Sequence, residues 1–143
     1  MRPSTLLLGL LLLLGGAAHP LVAQDFTGNW LTEAKDSVIQ ISIDSNGQLQ
    51  GKILSGPRPE ETDIHNPAPS LRQRPLLGLV ILHGFTRESA LKWKGGEVYD
   101  PESGNTYKAI LWMKKNDVTH LSLKGYVGIP LLGRTSEWTR AAQ

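Results

Sequence analysis

The 143-residue chain contains no cysteine. Disulfides, thiol nucleophiles, thiolate zinc ligands and lipid attachment through sulfur are therefore all excluded. No sign of charge dominates either. Of 15 Lys and Arg against 13 Asp and Glu, Arg2 is the only charged residue before Asp25, so the rest of the chain is balanced to within one charge. Its basic residues are scattered rather than gathered in the stripe that phosphate backbones require, which argues against nucleic acid. Helical periodicity is nearly absent, and no alternation of strands with helices appears. No apolar run approaches the ~20 residues that span a bilayer as a helix, so no stable membrane anchor is expected. Catalytic signatures are missing as well. There is no Gly-x-Ser-x-Gly, and no pair of acids stands out for glycoside chemistry. His65, His83 and His120 lie singly in three separate segments, without the short spacing of a metal site. These absences predict a protein that is not an enzyme and holds neither metal nor cofactor.

What is present begins with a leader. Arg2, the leucine-rich run Leu6–Leu14 broken only by Gly9, and small residues ending at Leu21-Val22-Ala23 have the three-part pattern of a secretory signal peptide. The pattern predicts cleavage after Ala23, with Ala18 as the second choice, and a single domain over residues 24–143. An exported chain without cysteine suits a bacterial periplasm or the surrounding medium.

Alternation then takes over. "VIQISID" puts Ile39, Ile41 and Ile43 on one face, "SNG" turns the chain, and "QLQGKIL" returns with Leu49, Gly51 and Ile53 together. Ser55–Pro75 is too rich in proline for a strand interior and too long for an ordinary connection. "LGLVILHGF" is apolar at both parities from Leu79 to Leu82, which predicts a strand covered on both faces. "ALKW" and "GGEVYD" suggest a bent strand pair, followed by "TYKAILWMKK", "HLSLKGY" and "SEWTR". With "GNWLTE" at the start, about eight short strands result, so the fold class is all-β, an antiparallel barrel or sandwich.

Two features single out the ends. "DFTGNW" opens the first strand and "EWTR" closes the last, and in a closed barrel these strands are neighbours. Gly28 permits close approach, and Trp30 and Trp138 supply bulk. Arg140 can lay its guanidinium on an indole face, worth about 0.5–2 kcal/mol. This structural clasp resembles the Gly-x-Trp and late-Arg arrangement of lipocalins. Between the ends, "WKGGEVYDPESGNTY" reads mainly as a hairpin: Asp100, Pro101 and Gly104 fit a tight turn, and their spacing is wrong for a calcium loop. Gly95-Gly96 marks a bulge or bend. One or more of Trp93, Tyr99 and Tyr107, with Tyr126, are candidates to surround a cavity mouth, or else pack structurally. Arg72, Arg74 and Arg134 can ring that mouth and hold an anionic head group; equally, they can pair with Asp63, Glu60 or Asp100 and pin the long loop.

Three blocks, "NPAPSLRQRPLLGL", "WKGGEVYDPESGNTY" and "LKGYVGIPLLGRTSEWTR", resemble in order and spacing the bacterial exported proteins grouped as the DUF2147 family. The resemblance implies a lipocalin-like barrel in the bacterial envelope and carries no catalytic residues with it. Lys124 stands where the family pattern leads one to expect Arg, which would exchange a planar two-pronged contact for a point charge. The expectation is a noncatalytic protein that binds a small, partly apolar ligand in or at the mouth of the barrel. The alternative is an interaction module that docks a protein partner through loops such as the apolar Ile129–Leu132.

Overall fold

The computed structural model describes residues 23–142; the signal-peptide reading, over residues 1–23, lies outside them except for Ala23. Eight strands follow in order: β1 (Gly28–Leu31), β2 (Val38–Ile43), β3 (Leu49–Ser55), β4 (Val80–Ser89), β5 (Lys92–Asp100), β6 (Asn105–Trp112), β7 (His120–Tyr126) and β8 (Arg134–Arg140). Each pairs antiparallel with the next, and β8 returns to β1, closing the barrel. The first hairpin shows how local chemistry drives this. Trp30 faces Ile39, Ile39 faces Ile53 and Ile41 faces Gly51, so these alternating residues share the inside, while Ile43, next to the turn, is exposed. Between β2 and β3, Asp44 Oδ1 accepts the amides of Asn46 at 2.8 Å and Gln48 at 3.0 Å, while Gly47 supplies a φ of 75°.

Two expectations change in detail. Leu79–Leu82 is apolar at both parities for a different reason from cover on both faces. The ladder between β3 and β4 shifts register between Gly51 and Lys52, so the adjacent Ile81 and Leu82 both enter the core, while Val80 stays exposed. Likewise "ALKW" and "GGEVYD" do not form two strands. Lys92–Asp100 is one strand bent by a register shift between Trp93 and Gly96. A Cβ at Gly96 would collide with the Phe85 ring, so the bend needs that glycine to let the strand cross the aromatic.

Antiparallel alternation assigns the connections to two ends. The turns β2–β3, β4–β5 and β6–β7 and the entry into β1 lie at one end. The β1–β2 turn, the long segment before β4, the β5–β6 tip and the β7–β8 loop lie at the other. The first end is packed solid by Phe26, Trp30, Leu49, Phe85, Trp93, Leu111 and Leu121. Trp30 has no exposed surface, and its indole N–H donates to the Phe26 carbonyl at 2.9 Å.

The two chain ends meet here. Trp30 pairs with Arg140 and Leu31 with Thr139. The Arg140 guanidinium lies 4.2 Å from the Trp30 ring centroid. It also donates to three backbone carbonyls, those of Val118 (2.8 Å), Thr27 (2.7 Å) and Asp25 (2.9 Å). Gly28 sits at φ 117°, and a Cβ there would stand 3.0 Å from Arg140 Nη1, so a side chain would press on the clasp.

Candidate functional site

The barrel that is packed at one end is hollow toward the other. Small or polar residues replace the aromatics as the strands climb: Gly125 and Ser136 stand above Leu121 and Trp138 on the same inner rows. A cavity of about 770 Å³ opens there against Val98, Tyr107, Leu123, Gly125, Ser136 and Trp138. A second, of about 550 Å³, is lined by the aliphatic Ile39, Ile53, Ile64, Leu76, Leu77 and Ile81. Thr32, Ala34, Asp100 and Glu102 border both, so the two are lobes of one cup, both mixed in polarity; the second, the aliphatic lobe, is richer in aliphatic side chains.

The outer wall of the aliphatic lobe belongs to the segment between β3 and β4, and its conformation has an identifiable anchor. Thr62 bridges Pro75, the Asp63 amide donates to the Arg74 carbonyl at 3.0 Å, and the Leu76 amide donates to the Glu61 carbonyl at 3.0 Å. Within this small ribbon Asp63 is completely buried. Its carboxylate accepts from Tyr99 Oη on β5 at 2.5 Å, from Asn66 Nδ2 at 2.9 Å and from Arg74 Nε at 2.9 Å. Burial alone would raise the Asp63 pKa, but the hydrogen bonds from Tyr99, Asn66 and Arg74, with the Arg74 charge, outweigh it and hold the carboxyl below its ordinary range. On the other side, burial, then the hydrogen bond to Asp63 and its negative charge, push Tyr99 up to about 12. The pair is thus an ionised carboxylate and a neutral phenol at neutral pH.

The residues singled out from the sequence separate into groups. Arg74, Tyr99 and, through its bond to the Asn66 carbonyl at 2.8 Å, Arg72 belong to this anchor, and the Arg74 guanidinium lies 5.8 Å from the Tyr99 centroid. Arg134 and Tyr126 line the first lobe. Arg134 is exposed at its mouth and makes no ion pair among the described residues. Trp93 lies in the packed end, edge-on to Phe26 with centroids 6.3 Å apart and Arg87 stacked at 4.5 Å, and lines neither lobe. "DPESGN" is a turn: Asp100 accepts from the Glu102 amide at 3.0 Å and the Ser103 hydroxyl at 2.7 Å. Gly104, at φ 75°, runs so close to the His65 carbonyl that a Cβ would collide with it, which ties this tip to the long segment. Lys124 is half-buried on the outer wall, beside Ile110.

Asn66 escaped notice in the sequence because an asparagine before proline reads as a turn residue. It is in fact nearly buried, and its Oδ1 also accepts the Ala68 amide at 2.9 Å. A second missed association lies on the outer wall near the packed end. There His120 Nδ1 approaches Asp117 Oδ2 at 3.0 Å, while Ser122 turns to Glu137 at 3.4 Å. The Thr119 hydroxyl and amide, with His120, lower Asp117 to about 2. Among the described residues no group of three or more His, Asp or Glu could hold a metal ion, and no helix is long and apolar enough to cross a membrane.

Comparison with solved structures finds the same fold in protein HP1028 from Helicobacter pylori, which is described as belonging to the lipocalin family. The two align with a TM-score of 0.73 and 23% identity over 83% of this chain and 84% of that one. No curated protein matches the chain. A family model described as "Uncharacterized protein conserved in bacteria (DUF2147)" matches residues 28–140, from the first residue of β1 to the last of β8. That span takes in the clasp, the cup and the Asp63 anchor together, and the chain belongs to the DUF2147 family.

Proposed function

We propose that the protein is a noncatalytic component of the bacterial envelope, exported by its N-terminal leader, that binds a small, partly apolar ligand in the cup at the open end of its barrel. One observation carries this reading: the interior is filled by aromatics at one end and left hollow at the other, with two lobes of mixed polarity of which one is richer in aliphatic side chains. Eight strands enclose either packed side chains or one small ligand, and here the two occupy different heights of the same barrel. Each lobe falls in the size range of small-molecule sites. The apolar part of a ligand would enter among Ile39, Ile53 and Ile81, and its polar part would face Thr32, Ser136, Tyr107 and the exposed Arg134. Mass spectrometry of protein purified under native conditions is expected to find a co-purifying amphipathic compound. Replacing Ile53 by Trp, which fills the aliphatic lobe, is expected to remove it. A protein that carries no compound and binds no apolar fluorescent probe would overturn the reading.

A second reading has its own observation. In the β7–β8 loop Leu131 and Leu132 are 81% and 76% exposed, and Val127 and Ile129 more than half, so this stretch does not plug the barrel. Such a patch suits a protein partner. Crosslinking in intact cells from Leu131 is expected to capture one specific partner under this reading, and only scattered products under the first.

A further inference from the structure

We propose that Asp63 is the positioning residue of the aliphatic lobe: it never faces the ligand but sets the wall against which the ligand lies. The inference rests on the ligand-binding reading above. Thr62, Ile64 and His65 line the lobe, as do Leu76 and Leu77 across the small ribbon, whereas Asp63 between them does not. Its carboxylate is directed instead to Tyr99, on the barrel itself, and to Arg74 and Asn66, on either side of the wall. The wall therefore has a polar, buried back and a mixed front in which Ile64, Leu76 and Leu77 stand beside Thr62 and His65, and none of its apolar side chains is fully buried. Ile64 and Leu77 are exposed, and Asp63 and Asn66 are the buried residues of this stretch. In a segment with so little apolar burial, the hydrogen-bonded carboxylate is the principal tie between the wall and β5. A second tie, the close packing of Gly104 against the His65 carbonyl, joins the same wall to the β5–β6 tip, so these two attachments converge on one hairpin, while Gly78 and Leu79 at the end of the segment bond to Ile53 on β3.

This gives Asp63 two signatures that a general contribution to stability would not produce. The first is local. In Asp63→Asn, the Asn66 and Leu76 amides, which donate to the Asp63 and Glu61 carbonyls, are expected to exchange with solvent at least tenfold faster. Amides of β6 and β7 should keep their protection, because only the wall opens. The second is in binding. The affinity for 1-anilinonaphthalene-8-sulfonate, used as an apolar probe, is expected to fall at least tenfold in Asp63→Asn. It should fall less in Tyr99→Phe, which removes one of three donors and keeps the carboxylate paired with Arg74. Tyr99→Phe also serves as the test should Asp63→Asn not fold.

Faster exchange confined to the wall together with weaker probe binding supports the proposal. Unchanged exchange at Asn66 and Leu76, or acceleration that runs equally through β6 and β7, overturns it. So does unchanged probe affinity in a variant whose wall has opened. If the unaltered protein binds no probe at all, the ligand-binding reading fails, and the exchange experiment still decides whether Asp63 holds the wall.

Discussion

Trp30→Ala is expected to lower the stability of the barrel by about 3–5 kcal/mol, the range for removing a buried aromatic without refilling its site. Trp30 has no exposed surface, packs at the closed end among Phe26 and its neighbours, and fixes the chain before β1 through its bond to the Phe26 carbonyl. A domain of this size has only about 5–15 kcal/mol of stability, so the change removes a large share of it. Arg140→Ala is expected to cost less, about 2 kcal/mol, because its three carbonyl partners lie near the surface and water can replace the guanidinium. The double variant should fall short of the sum by about 0.5–2 kcal/mol, since the stacking over the indole is lost in either single change. Urea unfolding of the four proteins measures all of this. Strict additivity would mean that the 4.2 Å stacking contributes nothing.

Asp63→Ala is expected to be comparably severe for the wall, lowering the free energy of its local opening by about 3–5 kcal/mol, because it leaves Arg74, Asn66 and the Tyr99 hydroxyl without the acceptor that ordered them. Its pH dependence identifies the cause. The folded-state pKa of Asp63 lies below the ordinary value of 3.8, so in acid the unfolded chain binds more protons and stability rises with pH there. The Asp63 contribution is therefore complete above about pH 4 and is lost as pH falls through the folded value. Tyr99 behaves oppositely. Its pKa is raised from 10.0 to about 12, so its contribution is complete below pH 10 and is lost as pH rises toward 12. Thermal unfolding against pH should show both flanks in the native protein. Asp63→Ala should reduce the alkaline one, leaving the part due to burial of Tyr99 and removing the part due to the Asp63 hydrogen bond and charge. An alkaline flank of undiminished size in Asp63→Ala would rule out the pairing as its source.

The parts of this structure that were legible in the sequence are those set by local periodicity. Ile39, Ile41, Leu49 and Ile53 alternate, and period two is enough to assign their face. Prolines between Ser55 and Pro75 excluded a strand there, and Gly28, Trp30 and Arg140 could be matched because closure of any antiparallel barrel brings first and last strands together. Depth along the barrel was not legible. Alternation says that Leu121 and Gly125 belong to the interior, but not that one lies in the packed end and the other borders a cavity. A register shift such as the one admitting both Ile81 and Leu82 breaks the period itself. The Asp63 anchor joins residues 36 positions apart through a loop with no pattern, so the sequence could offer Asp63 only as one of several partners for the arginines.

The closure of the barrel has a further consequence. Seven of its eight pairings join strands adjacent in sequence, but β1–β8 joins residues more than 100 positions apart and consists of two residue pairs, whereas the β7–β8 ladder has six. The ring therefore has a seam, short in backbone bonds and held mainly by one arginine and one tryptophan. Closing a long loop costs entropy that a short ladder barely offsets, so spontaneous opening of the ring begins there rather than between any other two strands. A barrel opened at the seam is a curled sheet with two free edges, the outer sides of β1 and β8. Those edges are complementary, since they paired with each other a moment before. Two opened molecules can thus exchange partners, β1 of each completing β8 of the other, and the same side-chain clasp that closes the monomer is what stands against that swap.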